Sequence, residues 1–308
     1  DARGQNASLT QGYSYSRKIT TNSSLKLERK FDLHDLTVLA LVETIKTDGD
    51  RFSATGYGFD IYALDELNYA TMSDKNVVGG MSSVSRLAGY LTRVNYGYNQ
   101  KYFIELSGRY DGSYLFAGKN IDGKRWVLTP ASSVAWRISE EDWFKNSLPM
   151  VDNLKLRAGV GLTAITNGVG EYFFLDRLIF SDNVAVIGGK NINGLLTSAP
   201  ANITLTWAKA LQYNGGFDLT MWNGLLGLEF DVFYKYLYDM PLTIGSSYPD
   251  SYGGYYAGYE NVGKQEHKGL EFNITHRNKI GNFSYNVGIN GTLAQRRWLS
   301  YPDSENTP

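Results

Sequence analysis

KYFIELSGRYD, residues Lys101 to Asp111, is the stretch on which the reading of this chain turns. Laid out as an extended strand, it sends Tyr102, Ile104, Leu106, Gly108 and Tyr110 to one side. Lys101, Glu105, Ser107, Arg109 and Asp111 go to the other, with Phe103 the exception. One side is apolar and the other charged. A soluble sheet with its apolar side turned inward has the same alternation, so periodicity alone fits a soluble β-sandwich or propeller as well as a membrane-spanning sheet.

The pattern recurs on both sides of this strand. Leu87 to Tyr98 precedes it and turns into it at Asn99-Gln100; Arg125 to Ile138 follows after the loop Gly112 to Lys124. Ser139 and the acids Glu140, Glu141 and Asp142 fit the start of a short helix, and Leu154 to Leu162 resumes the alternation. Further on, Leu211 to Met221 and Leu226 to Tyr236 flank Asn223-Gly224, the strongest short hairpin signal in the chain. Leu270 to Ile274 and Phe283 to Ile289 form a last hairpin, with its turn placed near Asn278. Upstream, Ser24 to Phe31 and Leu36 to Lys46 read as strands around Asp32-Leu33-His34, with a short strand at Gly12 to Arg17.

The connections discriminate between the two readings. They are short near Asp32, Asn99, Asn223 and Asn278, modest at Ser139 to Asn153, and long at Thr47 to Ser85, Thr163 to Ala210 and Asp239 to Gln265. Alternating short and long connections mark an antiparallel barrel of the outer membrane, and strands of roughly 9 to 14 residues exceed the usual globular length and suffice to cross a bilayer at a tilt. Aromatics crowd the strand ends at Tyr96, Tyr98, Tyr102, Tyr110, Trp126, Trp136, Trp222, Tyr234 and Tyr236, as interfacial girdles require. On this reading the apolar side meets lipid and the charged side lines water.

Composition agrees. There are 23 Tyr and 33 Gly, aromatics make up 14%, and Cys is absent, which removes disulfides, thiolate metal sites and cysteine nucleophiles. The net charge of -1 provides no field to recruit nucleic acid. No apolar run approaches the ~18 residues of a transmembrane helix. DARGQNASLT lacks the features of a signal peptide and YPDSENTP reads as loop, so both ends read as cut and the chain is expected to be a piece of a longer one.

Chemistry-bearing constellations are few. His34, His267 and His276 have no ligand spacing, although His267 and His276 could approach each other in space. Asp218, Glu229 and Asp231 face one another across the Asn223-Gly224 hairpin, either as a paired acid site or as a polar wall balanced by Arg and Lys of neighbouring strands. Tyr248, Tyr252, Tyr255, Tyr256 and Tyr259 lie in one loop among Gly and Ser, suited to sugar faces, peptides or a partner protein, or else to packing of the loop on itself. The ligand contacts expected are Tyr252, Tyr255, Tyr256 and Tyr259 from the loop, with Arg109, Asp218 and Glu229 from the wall. No catalytic residue, cofactor or metal is expected.

Several runs resemble a known family: RLAGYLTRVNYGYNQKYFIELSGRYDGSYLF, KRWVLTPASSVAWRISEEDWFK and VDNLKLRAGVGLT, followed in order by LTWAKALQYNGGFDL, DVFYKYLYDMPL and NVGKQEHKGLEF. Together they resemble the barrel of SusC/RagA-type TonB-dependent transporters from Leu87 to about Asn290. The resemblance implies an all-β fold, an antiparallel transmembrane β-barrel section of about ten or eleven strands out of a plugged 22-stranded barrel, with long extracellular loops. It also implies a place in the bacterial outer membrane and import of glycans, oligosaccharides or peptides. TonB would supply energy through an N-terminal part missing here, and a SusD-like surface lipoprotein would pair with the barrel, in a dimer of such pairs. Residues 1–308 are thus expected to be part of one barrel domain without plug or TonB-contacting segment. Trp126, Pro130, Trp136 and Arg137, and Asn261, Gly263, Lys268, Gly269 and Glu271, match the family as architectural positions. A passive porin or surface adhesin is the alternative function, with an outer-membrane hydrolase third.

Overall fold

A computed structural model describes residues 7–59, 66–72, 75–118, 124–166, 168–244, 251 and 258–302. In chain order the strands are β1 (Ser8–Phe31), β2 (His34–Tyr57), β3 (Val77–Tyr98), β4 (Tyr102–Ser113), β5 (Trp126–Arg137), β6 (Val151–Ile165), β7 (Arg177–Ile187), β8 (Lys190–Ala199), β9 (Ala208–Met221), β10 (Leu226–Leu242), β11 (Glu260–Ile280) and β12 (Phe283–Ser300). A 3-10 turn, Ile138–Glu140, and a short α-helix, α1 (Asp142–Ser147), sit between β5 and β6. Ten strands make one sheet whose order is the chain order, and β7 and β8 pair separately as a hairpin within the connection from β6 to β9. The main-sheet pairs whose register is resolved, from β4 to β12, are all antiparallel.

The short connections close because their residues accept left-handed backbone. Asn99 and Gln100 both have positive φ, +49° and +53°, the conformation a two-residue hairpin needs to match strand twist. Trp222, Asn223 and Gly224 do the same after β9. The last turn falls at Gly281, φ +60°, rather than near Asn278: β11 runs on to Ile280, with Lys279 opposite Ser284 and Ile280 opposite Phe283. Apolar pairing of Ile280 with Phe283 carries the ladder past the polar residues that looked like a turn.

Two compact units are distinguished, residues 1–22 with 43–88, and residues 23–42 with 89–308. In the first, the parts of β1 and β2 it contains, residues 8–22 and 43–57, extend well beyond the strands expected there. Polar cross-strand contacts hold them, such as Thr10 Oγ1 to Thr55 Oγ1 at 2.8 Å and Asp48 between Arg17 and Lys46. This stretch reads as loop in sequence because its strands carry Ser, Thr and Gly instead of an apolar alternation.

In the second unit the alternation becomes two faces. Tyr102, Ile104, Leu106 and Tyr110 of β4 are exposed, as are Leu128 and Val134 of β5, Leu156 and Val160 of β6, Val232 and Tyr234 of β10 and Ile274 of β11. Leu106 is 54% and Leu128 57% exposed, values that would be costly on a water-facing surface repeated over so many neighbours. No protein layer covers this face among the described residues. Aromatic stacks bound it: Tyr98, Tyr102 and Trp136 beside the short turns, and Tyr90, Tyr110 and Trp126 near the other end. Tyr102 and Tyr110 are eight residues apart on one strand, about 27 Å along it, which suits an apolar band ~25 Å tall. Phe103, the break in the alternation, lies on the polar face, with the guanidinium of Arg137 5.4 Å and the ammonium of Lys155 5.5 Å from its ring centre.

Candidate functional site

The polar face is built in rows, because residues opposed in an antiparallel ladder share a face. One row runs Arg137, Lys155, Asp218, Glu229, Asn273 across β5, β6, β9, β10 and β11. The next runs Phe103, Ala135, Arg157, Gly216, Asp231, Glu271. Charge is thereby segregated, basic on β5 and β6 and acidic on β9 to β11, and Arg157 stands at the boundary. Its Nη2 donates to Asp218 Oδ1 at 2.7 Å and to Asp231 Oδ2 at 3.0 Å. Gly216 makes room for this: a Cβ there would lie inside the contact shells of the Asp231 carboxylate and the Phe230 carbonyl. Glu229 accepts from Asn273 Nδ2 at 3.3 Å. The acids across the hairpin are therefore gathered as expected, and one guanidinium neutralises two of them, the arrangement of a balanced wall rather than of a proton-sharing pair.

Arg109 is not part of this group. The row Ser107, Ala131, Gly161, Gln212 places it two residues beyond Gln212 on one side, while Asp218 is six residues away on the other. That offset of eight residues is about 27 Å along the strands. Arg109 instead pairs with Asp111, Nε to Oδ1 2.7 Å. The three histidines are also dispersed. His34 Nδ1 bonds Tyr96 Oη at 2.6 Å, His267 bonds Gln265, and His276 stacks on Tyr285. His267 and His276, which the sequence left free to meet, share the single strand β11 nine residues apart and stay about 30 Å from each other. Among the described residues no group of three His, Asp or Glu could hold a metal.

At the long-connection end a second assembly orders the loops. Phe116, Val127, Leu205 and Trp207 form a buried apolar cluster, against which Leu115, Ala164, Val169, Phe173 and Tyr259 pack. Three connections contribute: β4 to β5, β6 to β9 and β10 to β11. Polar bonds weld them. Trp207 Nε1 donates to the Arg125 carbonyl, and Arg125 Nε to the Phe116 carbonyl. Asn261 is the hub: its Oδ1 accepts from Thr206 N at 2.8 Å, and its Nδ2 donates to the carbonyls of Thr206 and Asp239 at 2.8 and 2.6 Å. Asp239, φ +54°, lies where the β10 register shifts, so Asn261 recovers a carbonyl in an irregular part of the ladder. Tyr259 belongs to this core, its ring 5.1 Å from that of Phe173 and its carbonyl accepting from Asn202 Nδ2. Tyr252, Tyr255 and Tyr256 lie outside the described residues.

The Arg157 bridge was not singled out from sequence, and Asn261 was marked only as an architectural position of the family resemblance, not as a hub. Arg157 could have been found by carrying the Asn223-Gly224 register one strand further; Asn261 gives no local signal, since its partners are 55 and 22 residues away. At the short-connection end a third cluster was visible only as acids opening a helix. Glu141 accepts from the Tyr102 hydroxyl at 2.6 Å, from Lys101 Nζ at 3.0 Å and from Trp136 Nε1 at 3.1 Å. These bonds, the tyrosine's first, hold its carboxyl down at about 2.

Comparison with known proteins matches these features. The profile of the family described as TonB dependent receptor-like, beta-barrel matches residues 1–307. TonB-dependent receptor P3 of Formosa agariphila is 26% identical over 306 residues, covering 98% of this chain and 29% of the relative. TonB-dependent receptor SusC of Bacteroides thetaiotaomicron is 24% identical over 272 residues, 88% of this chain and 26% of the relative. Among solved structures, the RagAB peptide importer in its closed-closed state superimposes with a TM-score of 0.80 at 21% identity over 96% of this chain and 31% of the other. The chain thus spans less than a third of the length of these relatives. No described helix is long and apolar enough to cross a membrane. The chain belongs to the TonB-dependent receptor-like β-barrel family, as a section of an antiparallel outer-membrane barrel.

Proposed function

We propose that this section forms wall and external loops of a TonB-dependent nutrient importer that takes up glycans, oligosaccharides or peptides. The observation that carries the proposal is the pairing of an uncovered apolar face with a polar face held by its own ion pairs, Arg157 with Asp218 and Asp231 above all. Such a wall suits lipid on one side and a wet interior on the other. Cargo is held without bond chemistry: the relatives are receptors and transporters, and the wall acids are committed to Arg157 and Asn273.

The loops capture cargo, with Tyr252, Tyr255 and Tyr256 as contacts and Tyr259 acting through the loop core. Arg109, Asp218 and Glu229 meet it along the wall. A SusD-like lipoprotein pairs with the loops and TonB acts through the part of the transporter beyond this section, in a dimer of such pairs. The RagAB importer is named for a peptide cargo, and glycans and oligosaccharides enter through the family resemblance.

The test is uptake by cells carrying the full-length transporter, using labelled oligosaccharides and labelled oligopeptides, with and without TonB. Loss of uptake without TonB supports an energised importer. Uptake that continues unchanged without TonB makes it a passive porin.

A further inference from the structure

The bilayer-facing side of β4, β5 and β6 is not flat. Tyr102, Trp136 and Leu156 are opposed across the three strands, and two residues further along so are Ile104, Val134 and Ala158. All six are exposed on the apolar face. Between the two rows lies a concavity of about 510 Å³ with an almost wholly apolar lining. The order of its lining residues fixes the face it opens on: outward side chains of both rows flank the backbone of the inward row from Phe103 to Gly216, which is its floor. Ala158, and Gly215 opposite it on β9, keep that end of the second row low.

The wall on the short-turn side is pinned. Tyr102 and Trp136 stack at 6.4 Å with their planes 14° apart, and both turn their polar atoms to Glu141, the hydroxyl at 2.6 Å and the indole N–H at 3.1 Å. Rings tied at their polar ends do not swing across to fill the groove. Left empty, it would forfeit dispersion contacts along its whole lining. Rows two residues apart stand about 7 Å from each other, and three strand spacings from β4 to β9 make about 14 Å, the proportions of a slim, elongated guest. Because barrel strands tilt by ~35–45°, a groove across them climbs into the bilayer instead of following its surface.

We propose that this groove is a lipid site, seating one acyl chain of a phospholipid of the periplasmic leaflet. The groove is continuous with the face that the bilayer covers, and its aromatic wall stands at the short-turn end, the periplasmic side, at the level of the headgroups. A hydrocarbon chain needs no hydrogen bond, and this lining offers none.

The test uses the full-length transporter in vesicles of phosphatidylethanolamine and phosphatidylglycerol, with a small fraction of phosphatidylethanolamine carrying a diazirine in its acyl chain. Light expels dinitrogen, the carbene left behind inserts into a neighbouring C–H bond, and mass spectrometry locates the adducts. Ile274 and Val287, aliphatic and exposed on the same face near the β11–β12 turn, report ordinary bilayer contact. Ile104, Val134 and Leu156 should carry at least about threefold more adduct than these two, and Ala158→Phe, which fills the groove, should bring them down to that level while Leu128→Phe should not. Equal labelling in the wild type overturns the proposal and keeps the assignment of faces; labelling unchanged by Ala158→Phe also overturns it. A bare groove beside labelled Ile274 and Val287 overturns it in favour of a protein cover. No adduct at any of these positions rejects the bilayer-facing assignment itself.

Discussion

Replacing Asn261 by Ala removes a side chain that ties the β6–β9 connection to β10 and β11. Three bonds go: one from the Thr206 amide and two to the carbonyls of Thr206 and Asp239. Each lost bond costs about 1 kcal/mol, and water reaches a half-buried site in part, so the local opening free energy should fall by about 2–3 kcal/mol, roughly 30- to 150-fold in the opening equilibrium. Hydrogen exchange of the full-length protein, read by mass spectrometry in the segments 202–210 and 237–242, measures it directly. Segments of the β11–β12 turn should exchange as before. Asn261→Asp sharpens the test, because it keeps the acceptor for Thr206 N but turns an anion toward two carbonyl oxygens; it should exchange at least as fast as the Ala variant despite its matching shape. Exchange of the Thr206 segment within threefold of wild type in both variants would refute the idea that Asn261 welds the loops.

Other perturbations test other parts. Leu106→Arg places a charge in the apolar band and should cost about 2–4 kcal/mol of folding free energy in lipid vesicles, while Ser107→Arg on the polar face should cost about 1 or less; equal effects would reject the assignment of faces. Trp207→Ala empties the loop core and should lower loop stability by about 3–5 kcal/mol, seen as proteolysis within 202–207 while the barrel stays resistant. The Glu141 carboxyl is depressed from 4.5 to about 2, so the stability it adds is fully present above pH 4.5 and is lost as pH falls through 2. An acid titration of Trp136 fluorescence should show a transition in that window, absent in Glu141→Gln; a transition unchanged in the variant would assign it elsewhere.

What the sequence alone determined follows from strong local signals. The alternation in KYFIELSGRYD, the Asn-Gly turn and the spacing of short and long connections each act within a few residues, and they specified antiparallel strands, their faces and most turns. Where local signals conflict with the ladder, the reading failed. Asn278 looked like a turn, yet apolar Ile280 and Phe283 hold the strand past it; residues 190–199 looked like a Gly- and Asn-rich loop, yet they pair with β7, Ile179 opposite Leu196 and Phe180 opposite Leu195. Only the tertiary structure decided which charged groups meet. Arg157 finds Asp218 and Asp231 from 61 and 74 residues away, Asn261 finds Thr206 from 55, and Arg109 is kept from Asp218 by an eight-residue offset of register. A side chain's period of two is written in its immediate neighbours, but its partner across the sheet depends on the summed lengths and bulges of every strand between, and no window of sequence contains that sum.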